Sequence, residues 1–134
     1  MASNRLENLA RIGQLKQEPA RQDELAGLRR SGLSRFADAQ RGELSFESRF
    51  DLAYNAAHAL ALYALRRMNY RSDNRRLVFE ALPDTTGLSA GHWRVLVEAH
   101  GKRNLAEYEG DMDADEQLLA DMITATQALI DAFP

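Results

Sequence analysis

The sequence predicts an all-α protein, a helical bundle of five to six helices closed by short connections. Two observations carry this. Apolar residues recur at helical spacing through nearly the whole chain, and no stretch alternates apolar with polar as a half-buried strand would. The 134 residues suffice for one domain with one core, and no repeat or low-complexity segment divides them. A single domain over 1–134 is therefore expected, with 1–20 as an N-terminal helical extension.

The elements follow in order. "SNRLENLARIGQLKQEP" reads as a first helix, capped by Ser3 or Asn4 and ended by Pro19. From Gln22 to Gln40, Leu25, Leu28, Gly32, Phe36 and Ala39 share one face, with Gly42 as the stop. Ser45 then caps "FESRFDLAYNAAHALALYALRRMNY", which is apolar on nearly all sides between Leu52 and Leu65. Such a helix is surrounded by others, and its alanines let them approach closely. Asp51 to Met68 is thus expected at the centre, with no exposed face along Ala56 to Ala64. Ser72 or Asp73 starts a short helix through Leu82, and Pro83 to Gly87 form a loop. Ser89 caps a helix that Gly110 ends. Asp113 and Glu116 have capping-box spacing for the last helix. Its apolar face runs Leu118, Leu119, Met122, Ile123, Thr126, Leu129, Ile130 and Phe133.

Composition excludes several classes. With no cysteine there is no disulfide framework, thiolate metal site or cysteine nucleophile. No apolar run approaches a membrane span, and Met1 to Lys16 has no signal-peptide core, so a cytoplasmic protein without membrane contact is expected. A net charge of −3 provides no global field for nucleic acid. The distribution is uneven, however. "RRMNYRSDNRR" holds Arg66, Arg67, Arg71, Arg75 and Arg76 against Asp73 alone, whereas "EYEGDMDADE" holds six acids and no base. "DMDADE" lacks the glycine of a calcium loop, Glu-x-x-His pairs for a di-iron site are absent, and no phosphate-binding glycine loop occurs. Neither a metal nor a cofactor is expected.

One face changes character partway along. Advancing about 100° per residue from Trp93, Leu96, Val97, His100, Asn104, Glu107 and Tyr108 fall within roughly 60° of its direction. Arg103 lies at the edge of that stripe and Leu105 points away. The face is apolar for two turns and polar for the next two. Burying those polar groups unpaired would cost about 1–3 kcal/mol each, so the stripe either leaves the core or meets a polar partner. On the central helix Asp51, Asn55 and His58 stand at i, i+4 and i+7, a stripe of the right chemistry. If the stripes face each other, Asn55 or His58 is expected within hydrogen-bonding reach of His100, Asn104 or Tyr108. The alternative is that these groups are satisfied buried polar residues fixing helix register.

"RFDLAYNAAHALALYALRRMNYR", followed downstream by "KRNLAEY", resembles the HEPN (higher eukaryotes and prokaryotes nucleotide-binding) domain family over about Leu25 to Phe133. The resemblance implies a HEPN-like up-and-down core and a homodimer. It also implies a metal-independent ribonuclease class found in bacterial toxin–antitoxin and defence systems, with nucleotide, RNA or a cognate protein as partner. The family signature is Arg, often followed by Asn, with His four to six residues beyond the Arg. Arg103 and Asn104 match its first half, but Tyr108 stands where a histidine would follow. The Arg would grip a phosphate, and the His would take the proton of the attacking hydroxyl. A phenol, with a pKa near ~10, is a poor base at neutral pH. The expectation is a nucleotide-, RNA- or partner-binding protein without full ribonuclease activity, its catalytic residues undefined. Its candidate site is His100, Arg103, Asn104, Glu107, Tyr108, Asn55 and His58, beside the arginine cluster. An active ribonuclease toxin and a purely structural interaction module are the alternatives.

Overall fold

The Ser45 hydroxyl accepts the backbone N–H of Ser48 at 3.2 Å and starts the longest helix of the chain. A computed structural model describes residues 4–110 and 114–133; the side chains of Glu107, Tyr108 and Glu109 lie outside that description. Among the described residues the elements are α1 (Asn4–Arg11), β1 (Lys16–Gln17), α2 (Gln22–Ala39) and α3 (Phe46–Arg67). Then come β2 (Tyr70–Arg71), α4 (Arg75–Glu80), α5 (Leu82–Thr85), α6 (Ala90–Glu109) and α7 (Glu116–Asp131). The fold is an all-α bundle, and no helix among the described residues is long and apolar enough to cross a membrane.

Helix α3 lies at its centre, packed along α2 and α7 and touching α4, α5 and α6. Ala53, Ala56, Ala57, Ala59, Leu60, Ala61 and Ala64 are all buried, and no residue from Leu52 to Arg66 is exposed. A Cβ at Gly32 on α2 would stand 2.6 Å from Leu60 Cγ, so this glycine sets how closely α2 and α3 approach. Helix α7 closes the core with Leu119, Met122, Ala125 and Leu129. Helix α6 packs on α7 and α4.

Differences from the expected elements are local. The first helix stops at Arg11, where Gly13 takes φ +82°, and Gln14 N–H and Leu15 N–H both turn back to the Leu9 carbonyl. This turn releases Lys16 and Gln17 to pair antiparallel with Arg71 and Tyr70, a two-residue ladder too short to show an alternating pattern. Asn69, at φ +66°, ends α3 and supports the ladder: its carbonyl accepts from Glu18 N–H and its side-chain oxygen from Ala20 N–H. Asn74, rather than Ser72 or Asp73, caps α4 by accepting from Leu77 N–H at 3.1 Å. Pro83 belongs to a helical turn, α5, rather than a loop, because its fixed φ suits the first turn of a helix. Ser89 stands at the N-cap of α6 without a side-chain cap bond. Asp115, rather than Asp113, caps α7, accepting from Leu118 N–H at 2.9 Å. Asp113 itself lies outside the described residues.

Candidate functional site

Two turns into α6 the core ends. Leu96 and Ala99 are buried, His100 and Arg103 are half-buried, and Asn104 is exposed. The described part of the stripe meets both expectations, leaving the core beside α3 and finding polar partners there. Gly110, at φ +76°, ends the helix beyond it. Tyr108 and Glu107, also expected in the site, have side chains outside the described residues.

Tyr54 of α3 organises what gathers there. Its ring is 1% exposed and packs edge-on against Phe79 of α4. Its hydroxyl lies 3.0 Å from His100 Nδ1, and the two rings stack at 6.2 Å. The Arg103 guanidinium sits 4.9 Å from the Tyr54 ring centre and that of Arg75, from α4, 5.7 Å. A cation over an aromatic face is attracted by the ring quadrupole, so one phenol seats charges from two helices.

Further contacts fix the periphery. Arg103 Nε donates to Asp51 Oδ1 at 3.2 Å, joining α6 to α3; the Asp51 side chain is 55% exposed. Asn55 donates to the Asp51 carbonyl at 2.9 Å and accepts from Arg75 at 3.5 Å. The Asn104 amide nitrogen lies 3.2 Å from His100 Nε2. The imidazole thus bridges the Asn104 amide and the Tyr54 hydroxyl, with the donor and acceptor roles set by its tautomer.

His58 stands one turn along α3, edge-on to Phe79 at 6.0 Å. Burial lowers its pKa to about 4, and the charges of Arg75, His100 and Arg103 push the same way. It is neutral at physiological pH and a weak base. The two stripes thus meet, joined among the described residues by Tyr54–His100 and Asp51–Arg103 rather than by a hydrogen bond from Asn55 or His58 to α6 within the chain. Asn55 is taken up instead by the Asp51 carbonyl and by Arg75.

The five clustered arginines do not form one surface. Arg66 is 2% exposed and directed inward: Nε and one terminal nitrogen bind the Glu24 carboxylate at 2.8 and 3.1 Å. Its remaining donors reach the carbonyls of Glu18, Pro19 and Tyr70. Arg66 lowers the pKa of Glu24, and Glu24 raises that of Arg66. Arg67 covers the rings of Tyr63 and Phe133, Arg71 pairs with Glu18, and Arg76 with Glu80 one turn on. Only Arg75 of the five reaches the Tyr54 cluster.

Sequence reasoning passed over Tyr54 although it shares the stripe: it lies three residues after Asp51 and four before His58. A tyrosine in an alanine-rich helix reads as core, and here the ring is core while the hydroxyl is site. Among the described residues no group of three or more His, Asp or Glu could hold a metal ion. The assembled chemistry is that of an anion-gripping surface: two guanidinium groups, amide and imidazole donors, and an exposed carboxylate that can be displaced. Comparison with protein-family models, with curated proteins and with solved structures finds no match for this chain.

Proposed function

We propose that this chain is a HEPN-like protein that binds a phosphate of a nucleotide or RNA at the Tyr54 cluster and lacks full ribonuclease activity. The observation that supports it is the seating of Arg103 and Arg75, from two helices, over one buried ring beside His100 and Asn55. Guanidinium groups suit phosphate because their planar fork donates two parallel hydrogen bonds. Asp51 holds Arg103 in the meantime. Such a pair is worth about 0–1 kcal/mol, so a phosphate competes with Asp51 for that guanidinium on favourable terms. The residue pair Arg103–Asn104 matches the first half of the family signature, and Tyr108 in place of the histidine removes the expected base. His58 cannot replace it, since an imidazole with pKa about 4 gains little by accepting a proton at neutral pH. A homodimer, a cognate protein partner and a toxin–antitoxin or defence setting are supported by the resemblance alone.

The test is a binding and cleavage assay with end-labelled RNA in the presence of chelator. Binding should weaken about ten-fold or more in Arg103→Ala, as expected for losing charge-assisted hydrogen bonds, and should weaken with salt. Cleavage should stay near background, because a general base is typically worth about 10²–10⁴-fold. Robust cleavage abolished by Arg103→Ala would make the protein a working ribonuclease and overturn the binding-only reading. Unchanged binding in that variant would remove the phosphate from this cluster.

A further inference from the structure

Beside the Tyr54 cluster, between α2, α3, β2 and α4, lies a cavity of about 380 Å³. Its size falls in the range of about 300–1,000 Å³ usual for small-molecule sites. His58 and Arg75 belong to both places: they line the cavity, and each is coupled to the cluster through Tyr54 or the charges of α6. The two sites are therefore continuous, one ending where the other begins.

Their chemistries differ. The cluster is rich in cations, whereas the cavity mixes donors, acceptors and an apolar wall. Part of the lining is already occupied, since Arg66 and Glu24 saturate each other there. What remains to meet a ligand, beside the shared His58 and Arg75, is the half-buried Leu62, the Arg71 guanidinium, the Ser72 hydroxyl and the Asp73 carboxylate. Arg71 is held by Glu18 at 3.3 Å, an exposed pair of the weak kind. Ser72 Oγ accepts from Asn74 N–H at 3.0 Å and keeps its own hydrogen to donate. Among the described residues Asp73 has no ion-pair partner. A bare phosphate would meet two carboxylates here, those of Asp73 and Glu24, and would leave most of the volume unfilled.

We infer that this cavity takes a guanine base, on the reading that the adjoining cluster holds the phosphate of the same nucleotide. Guanine alone among the RNA bases presents an acceptor pair, O6 and N7, on one edge and a donor pair, N1–H and the exocyclic amine, on the next. A guanidinium matches the first pair bidentately. A carboxylate, which only accepts, matches the second. Arg71 and Asp73 are the residues that supply those two groups, with Leu62 against the ring face and Arg75 turned to the phosphate. Adenine offers a carboxylate one donor beside a repelling ring nitrogen, so Asp73 selects against it.

The test titrates the intact protein and Asp73→Asn with guanosine 5′-monophosphate, adenosine 5′-monophosphate and ribose 5-phosphate. Both positions of the exposed Asp73 substitution are polar, and a thermal melt confirms that the variant folds. Guanosine monophosphate should bind about ten-fold tighter than either competitor, and Asp73→Asn should erase that advantage while leaving ribose 5-phosphate unchanged. Equal binding of all three ligands overturns the guanine site and leaves the phosphate reading standing. Absence of binding by all three overturns both. A matched pair of short RNAs, with and without one guanine, then separates the sources. Given the mononucleotide advantage, a guanine advantage that persists in the RNA assigns the base to a strand, and one confined to the mononucleotide assigns it to a free nucleotide.

Discussion

Replacing Arg66 by alanine should cost about 3–4 kcal/mol of stability, although the sequence places this residue in a basic patch. The substitution removes five hydrogen bonds from a side chain that is 2% exposed. It takes the guanidinium donor from three backbone carbonyls and leaves the Glu24 carboxylate with the Arg21 N–H, at 3.4 Å. Removing one partner of a buried ion pair typically costs about 3–5 kcal/mol. The lower part of that range applies, because Glu24 keeps 31% of its side chain exposed and still accepts from Arg21 N–H. Against a total stability of about 5–15 kcal/mol the loss is large. Arg66→Lys should recover only part of it, since an ammonium has three donors and no fork. The assay is urea denaturation followed by far-UV circular dichroism, with the midpoint read at constant slope. The pH dependence provides a second readout. Glu24 is held below its ordinary 4.5, so its contribution is fully present above that value. It is lost as pH falls through the lower folded pKa, and Arg66→Ala should flatten that acid limb. A loss under about 1 kcal/mol in Arg66→Ala, together with weakened RNA binding, would refute the structural role and return Arg66 to the binding surface.

Three further outcomes are expected. His58, lowered from 6.5 to about 4, binds no proton in the folded state where the unfolded chain does, so stability should fall as pH drops through that window. A His58→Gln variant should lose this slope, and a nuclear magnetic resonance titration placing His58 near 6.5 would contradict the burial argument. Tyr54→Phe should cost about 1 kcal/mol by urea denaturation and keep RNA binding within a few-fold, because the ring that seats both guanidinium groups stays. Loss of binding in that variant would show that the hydroxyl, through His100, matters more than the ring. Sedimentation at micromolar concentration should show a homodimer, and a single species of 15.1 kDa would count against it.

Helix existence was legible because it depends on local periodicity and caps, and Ser45 and Gly110 act as their positions imply. What the sequence hid was set by contacts distant along the chain. Arg66 meets Glu24 across 42 positions, and nothing near Arg66 reveals that pairing. The β1–β2 ladder depends on Asn69 adopting a left-handed turn, which a helical pattern running through Tyr70 conceals. In the site, spacing put His100 on one polar stripe and Asp51, Asn55 and His58 on another, and left open whether the two face each other. Spacing says nothing of side-chain reach, however. The central residue of the α6 stripe, Asn104, is exposed, while Arg103 at its edge bridges to α3.

The arginines show why residue type alone does not define a binding surface. Arg66 stands where two glutamates and three carbonyls converge, so every donor is consumed and the charge serves the fold. Arg75, nine residues on, meets an aromatic face and an amide oxygen, with no carboxylate in ion-pair distance among the described residues. An aromatic ring orients a guanidinium without neutralising it, so the charge remains available to an incoming anion. Burying Tyr54 on α3 is what creates that difference. The helix that anchors Arg66 at one end with acids offers a neutral π-face to Arg75 and Arg103 near the other. A substitution that placed a carboxylate beside Tyr54, such as Asn55→Asp, would turn the neutral acceptor of Arg75 into a charged one. It should leave stability level or slightly lower, because the few tenths of a kcal/mol of the new pair are offset by the lost Asn55 donation to the Asp51 carbonyl, while weakening phosphate binding by more than that change. Binding lost without a comparable loss of stability would mark a site kept open, and unchanged binding would take Arg75 out of it.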